Sequence, residues 1–344
     1  MTASEVFEMN WGSMLPSPEP FPLLPWTESR GTDYYGAMHV AAQYCNLSNR
    51  ALPYPGVWQH GCLPPWQHVA PGILVYQAPR DFAAFVGRID AADYLKHHGY
   101  TRVRAIGLPI LYTRPTGVKR IPGSVLVMPV HSIRAHASAP DLETYPAQIA
   151  EMEGDFTAVA ACVSGSCIEK GWWAPQFQER GIPVIRGAAI DDRRALDRMR
   201  YLFEMFETVT TNGFGSHIFY ALHFGAKVSM WGQEQPLQWE NLIRDGTWAA
   251  NPTALRTVLS DETTSRAEQV LGRLRVPPHQ AVMDRQLGSD MIGADNVLGP
   301  RELRRCFRWD WPGRALTAAS SAARQSRRLR SALTDRLQRF TGQH

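Results

Sequence analysis

No stretch of this sequence supplies the roughly 20 apolar residues in a row that a membrane-crossing helix needs. Residues Met1 to Trp11 are acidic and broken by polar side chains, so no secretory signal is expected there. Cysteine is sparse, with Cys45, Cys62, Cys162, Cys167 and Cys306 making an odd total of five. Such a set, without tight spacing, does not suggest a disulfide framework, and the Cys162-x4-Cys167 pair lacks the second pair of a zinc site. The eleven histidines show no zinc spacing either. No Asp-x-Asp motif is present to hold a diphosphate through a divalent cation, and Asp191-Asp192 reads as an acidic first turn of a helix. A metal-free, cofactor-free protein in a reducing, cytoplasmic compartment is the expectation.

What is present is an ordinary globular composition. The chain has 344 residues, 44% hydrophobic and 20% charged, enough for about two domains. Thirty-six basic against 32 acidic residues leave a net charge of +4, too small to define a nucleic-acid protein. That charge is unevenly placed. Residues 314–344 hold seven arginines and one aspartate, a net of +6, so the rest of the chain sums to −2. Leu316, Ala319, Ala323, Leu329, Leu333, Leu337 and Phe340 fall at helical spacing among those arginines. The tail is a basic amphipathic helix, suited to an anionic membrane surface or to capping a domain. No nucleic-acid partner is expected.

Residues 10–30 carry five prolines and read as an irregular lead-in. A helix is expected over 34–45, strands over 56–61, 72–79 and 103–111, and helix from about 81 to 98. The segment 113–123, rich in Pro, Gly and basic residues, reads as a linker. Continuous apolar runs then predict strands at 124–130, 156–163, 182–187, 208–212 and 226–232. Helices are expected between them at 141–153, 168–180, 191–207 and 216–224, and beyond them at 261–275. This alternation specifies a parallel α/β sheet with right-handed crossovers. The division is 1–117, 118–300 and a basic helical tail, 301–344.

The chemistry concentrates at Thr210 to Gly232. A strand delivers the chain into Asn212-Gly213-Phe214-Gly215, and Ser216 stands where a helix N-cap belongs. Glycines permit close backbone approach, and the exposed N–H groups of a first helical turn attract an anion. His217 adds a donor or a charge. The turn has no Walker lysine-serine pair and no six-residue dinucleotide fingerprint. His131 and Ser132 end the first strand of the same domain, hence the same crevice. Arg186 ends another strand, free for phosphate or ion-paired with Asp191 or Asp192. His60, after a short strand of the first domain, is the candidate general base, with Asp33 and Glu28 as alternatives. His68, His97 and His98 are expected on the surface, and Trp172-Trp173 in a core or between domains.

Asn212-Gly-Phe-Gly-Ser216-His217 with IFYALHFGAKVSMWG resembles the donor-site segment of bacterial surface-polysaccharide glycosyltransferases of GT-B architecture. GVWQHG at 56–61, HHGYTRVRAIGLPILYT at 97–113 and VMPVHS at 127–132 extend the resemblance in the same order. The resemblance implies two Rossmann-like domains with parallel sheets, the N-terminal one short. It implies transfer of a sugar from a nucleotide-sugar donor to a lipopolysaccharide, capsule or lipid-linked glycan acceptor. The donor phosphate would meet His131, Ser132, Arg186, Asn212, Gly215, Ser216 and His217, with His60 on the acceptor side. A cytidine-diphosphate-alditol phosphotransferase, or a non-catalytic scaffold of glycan biosynthesis, are the alternatives. The tail would hold the protein peripherally on the inner membrane.

Overall fold

The computed structural model describes residues 15–21, 33–47, 52, 56–69, 73–74, 79–131, 141–233 and 252–310. Helix α1 (Ala37–Tyr44) precedes a three-stranded parallel sheet. Its strands are β1 (Val57–Trp58), β2 (Ala83–Val86) and β3 (Arg102–Ala105), in that spatial order, with α2 (Ile89–His97) crossing from β2 to β3.

A second parallel sheet follows. Strand β4 (Ile121–Val127) leads to α3 (Thr144–Met152), β5 (Ala158–Val163), the short helices α4 (Gly165–Glu169) and α5 (Ala174–Glu179), and β6 (Val184–Arg186). Helix α6 (Ala195–Met205), β7 (Phe206–Thr211), α7 (Ser216–His223) and β8 (Lys227–Met230) complete it. The spatial order β6-β5-β4-β7-β8 makes the strands run 3-2-1-4-5 in their own sequence, the Rossmann order. The order reverses between β4 and β7. Beyond the carboxyl ends of those two strands such sheets hold their ligands.

Period-two alternation sorts the strand side chains into three apolar layers. Val125, Val127, Val159, Ala161 and Val163 face outward under α3 and α5. Leu126, Ala160 and Cys162 face inward, into the same core as Phe85 and Trp58 of the first sheet. Ala84 and Val86 face an outer layer with Leu95 of α2. The two sheets thus share one continuous middle core. Helix α6 belongs to it through Leu196, Met199, Leu202 and Phe203, the spacing visible in the sequence.

The chain then returns. After α8 (Pro252–Val258) and α9 (Asp261–Leu271), α10 (Arg285–Ile292) packs on α7, and Phe307, just beyond α11 (Pro300–Cys306), packs on the first sheet. Phe307 lies edge-on to Trp58 at 5.2 Å and to Phe85 at 5.0 Å. Arg304 donates to the Cys45 carbonyl, and Leu298 N donates to the Tyr112 hydroxyl at 3.0 Å. Residues 301–309, helical at their start, thus pack with the N-terminal core. Residues 314–344 lie outside the described residues.

Other expectations also shift. Strand β2 lies inside 81–98, where helix was expected. Its Ala-Ala-Phe-Val sequence carries no alternation of polarity, and it is strand because β1 and β3 pair with both its edges. Ile73 and Leu74 are helical, and 75–78 lie outside the described residues. The helix expected over 168–180 splits at Gly171 and Trp173, both with positive φ. The third strand stops at Ala105, because Gly107 turns the chain at φ 77°. Among the described residues, no helix is long and apolar enough to cross a membrane.

Two glycines seal contacts between distant segments. A β-carbon on Gly36 would stand 1.9 Å from the Arg193 carbonyl oxygen, and one on Gly293 1.9 Å from that of Gly87. Both have left-handed φ. Gly36→Ala and Gly293→Ala should each cost about 2 kcal/mol or more. Gly117→Ala, left-handed but in open space, should cost only about 1 kcal/mol. Urea denaturation of the three variants checks the ranking.

Candidate functional site

The turn between β7 and α7 is built from its own polar groups. Thr211 Oγ1 donates to the Gly213 carbonyl at 3.0 Å. Gly213 has no room for a side chain, since a β-carbon would meet Val130 Cβ at 2.9 Å. Asn212 is buried, and both ends of its amide are engaged. Its Oδ1 accepts from Val130 N at 2.9 Å, and its Nδ2 donates to the Gln233 carbonyl at 3.1 Å. Asn212 therefore ties the end of β4 to the chain leaving β8. Trp173, buried and left-handed at φ 69°, donates its indole N–H to the Val130 carbonyl at 3.0 Å. It occupies the core, whereas Trp172 is half-buried with Lys170 above its ring.

Gly215, not Ser216, is the N-cap of α7, in extended backbone with no side-chain cap. A β-carbon there would stand 2.7 Å from His217 Nδ1, so the glycine makes the seat for that ring. Ser216 is the first helical residue. Its hydroxyl reaches the other half of the molecule and accepts from Cys62 N at 2.8 Å. One turn later, the Tyr220 hydroxyl donates to the His60 carbonyl at 3.1 Å. Cys62 Sγ donates to the Met291 carbonyl of α10 at 3.1 Å. Loop 59–62, leaving β1, is thus fastened to α7 and α10 at three points.

This fastening sets His60, on the loop, against the start of α7, which carries His217, and His131 is near enough to act on the charge of both. Burial lowers His60 to about 4 and His217 to about 3, and the nearby His131 pushes both further down. Both rings are neutral at pH 7. His60 Nδ1 and His217 Nε2 are shut off from solvent and have no hydrogen-bond partner among the described residues. Such unpaired buried nitrogens are costly in a resting fold and mark a place where a partner can bind.

Two tyrosines flank His60. Tyr34 meets its ring edge-on at 5.6 Å, and Tyr35 lies tilted against it at 5.5 Å. Tyr35 holds a left-handed backbone, φ 59° and ψ 18°, rare for an aromatic residue. Its N–H donates to the Ile190 carbonyl at 2.9 Å, a contact from the second half of the chain. Neither tyrosine stands out in the sequence as a neighbour of His60. The Asp33-Tyr-Tyr-Gly36 turn was their one local signal.

Other expected residues lie elsewhere. Arg186 ends β6, three strands from β7, roughly 14 Å at about 4.8 Å per strand. It faces Glu169 at 3.7 Å, and neither Asp191 nor Asp192. Asp192 is instead buried against Arg198 at 2.6 Å, where it also accepts from Glu19 N. Ser132 and Glu28 lie outside the described residues. Among those described, no set of three His, Cys, Asp or Glu side chains is placed to hold a metal. Phe214, at the tip of the turn, is exposed. The chain matches no known family model and no curated protein sequence.

The half-buried histidines make stability depend on pH. An unfolded histidine titrates near 6.5, whereas His60, His217 and His223 titrate near 4, 3 and 4 in the fold. Between those values the unfolded chain binds more protons than the native one. The stability these groups contribute is complete above about pH 6.5 and is lost as pH falls toward 4. Each histidine contributes up to about 1.4 kcal/mol per pH unit within that window. Urea midpoints at pH 7, 6 and 5 should fall steadily, and His217→Gln should flatten the decline.

Proposed function

We propose that the protein is a glycosyltransferase of GT-B architecture, moving a sugar from a nucleotide donor to a surface polysaccharide or lipid-linked glycan. The observation that carries this reading is the meeting of His60, from one half of the chain, with His217 and His131 at the switch point of the other. The resemblance of residues 210–232 to a donor-site segment supports it, as does the Rossmann strand order.

In this reading the donor diphosphate lies at the first turn of α7. The backbone N–H groups there and His217 meet the charge that grows on the leaving phosphate. An acceptor hydroxyl attacks the anomeric carbon, the bond from that carbon to the phosphate oxygen breaks, and the nucleotide leaves. His60 takes the hydroxyl proton. It is neutral at pH 7 and so able to accept it, and its loop is held by Tyr220 and Ser216. Asn212 acts at one remove, by holding the turn. The basic residues 314–344 would bring the protein to an anionic membrane on the cytoplasmic side, where lipid-linked acceptors reside.

A thermal-shift panel of nucleotide sugars tests the reading. At about 100 times its dissociation constant the right donor adds about 2.7 kcal/mol of stability. His60→Gln should lower the rate of sugar transfer at saturating donor by about 100-fold or more. A panel that gives no shift, with a glycan acceptor present as well, sinks the reading.

A further inference from the structure

The turn offers an anion very little fixed positive charge. A helix N-terminus carries about half an elementary charge. Burial and His131 account for the lowered His60 and His217, and no lysine, arginine or carboxylate among the described residues contributes to either shift. The groups that face these rings come from several elements. Tyr34 and Tyr35 approach His60 from the turn before α1, and Tyr220 holds its carbonyl from α7. Cys62 lies two residues along the same loop, and His131 comes from the end of β4. Burial pushes the Tyr35 and Tyr220 hydroxyls and the Cys62 thiol upward, so all three stay uncharged near neutral pH. Of the groups around these rings, none of the three carries a charge that could neutralise an anion or give up a proton to it near neutral pH.

A neutral imidazole presents one N–H and one bare lone pair. A phosphate oxygen facing the lone pair is repelled, whereas the protonated ring donates from both nitrogens and adds a full charge. A phosphate within a few ångströms also raises the affinity of such a ring for a proton. His60 Nδ1 and His217 Nε2, buried and without partners, are the atoms on which that change can act. We propose that a phosphate-bearing anion enters the His60–His131–His217 cluster together with a proton, which the histidines take up as the anion binds. The proton comes from solvent and no covalent bond changes. Ligand and proton then favour one another equally, as linkage requires.

This inference rests on the anion-binding part of the transferase reading and is independent of sugar transfer. The test uses the full chain and inorganic pyrophosphate. Calorimetric titrations at pH 7 in Pipes, Hepes and imidazole buffers, which differ in ionisation enthalpy, count the protons taken up. The probe's own titration, measured without protein, is subtracted. About one proton per pyrophosphate is expected, with Kd rising about tenfold per pH unit from pH 6 to 8. His217→Gln should lower the proton count by more than half. If that variant does not fold, the pH slope of the wild-type protein still decides. Pyrophosphate that binds without proton uptake overturns the proposal, and so does failure of pyrophosphate to bind. Nucleotide sugars that bind with a pH-independent Kd overturn it while leaving the transferase reading intact. Proton-linked pyrophosphate binding without response to any nucleotide sugar does the reverse.

Discussion

Helix α7 is held from both sides, and the site depends on that grip. Its first two turns are fastened to loop 59–62 by the Ser216 hydroxyl and by the Tyr220 phenol. Its flank lies so close to α10 that a β-carbon on Gly288 would stand 2.5 Å from His223 N. A shift of α7 by one ångström would break two hydrogen bonds to the other half of the molecule and open that contact. One helix N-terminus is thereby common to both halves, and His60 has its place relative to His217 because the same helix carries both constraints.

The cost of that closeness is desolvation. Fastening the loop to the helix half-buries two imidazoles and shuts one nitrogen of each off from water, so their charged forms are desolvated without gaining a carboxylate in exchange and both rings are neutral at pH 7. The other polar groups of the turn are already committed. Asn212 spans β4 and β8, Thr211 closes the turn, and Ser216 is engaged with Cys62 N. The chemistry available to a ligand is therefore imidazole and backbone N–H, with the aromatic surfaces of Tyr34, Tyr35 and exposed Phe214 around them.

The rest of the fold supports this arrangement by returning the chain to its start. The segment 285–309 runs from α7 to the first sheet, where Phe307 and Trp309 complete the aromatic packing around Trp58. The lead-in 15–21 is pinned in the opposite direction, across Asp191–Arg193, beside the buried Arg198–Asp192 pair. Such a pair is costly to desolvate and destabilising to break, so it specifies where the lead-in lies more than it adds stability. Tyr34 and Tyr35 follow that lead-in, and their position against His60 depends on contacts at residues 190 and 193.

Much of the second sheet was legible in the sequence because its strands are buried on both faces and therefore read as unbroken apolar runs, as at Ser124–Val130 and Phe156–Val163. The amphipathic spacing of 195–206 and the Gly-x-Gly-Ser turn were equally local signals, written within a few residues. His60, His131 and His217 could be named because topology alone places residues after parallel strands at one edge of a sheet. Strand β2 could not, since Ala-Ala-Phe-Val becomes strand only between two partners. Nor could the partner of Arg186, the return of 301–309, or the left-handed Tyr35, each decided by residues far away in the chain. The sequence by itself determined the α/β class and the glycine turn that opens α7, because period and turn chemistry are properties of neighbours. Only the tertiary structure decided that Ser216 joins the two halves, that Asn212 is a brace, and that His60 and His217 are uncharged, each with one ring nitrogen shut off from water. Burial and electrostatic environment are set by contacts between segments that the linear order keeps apart.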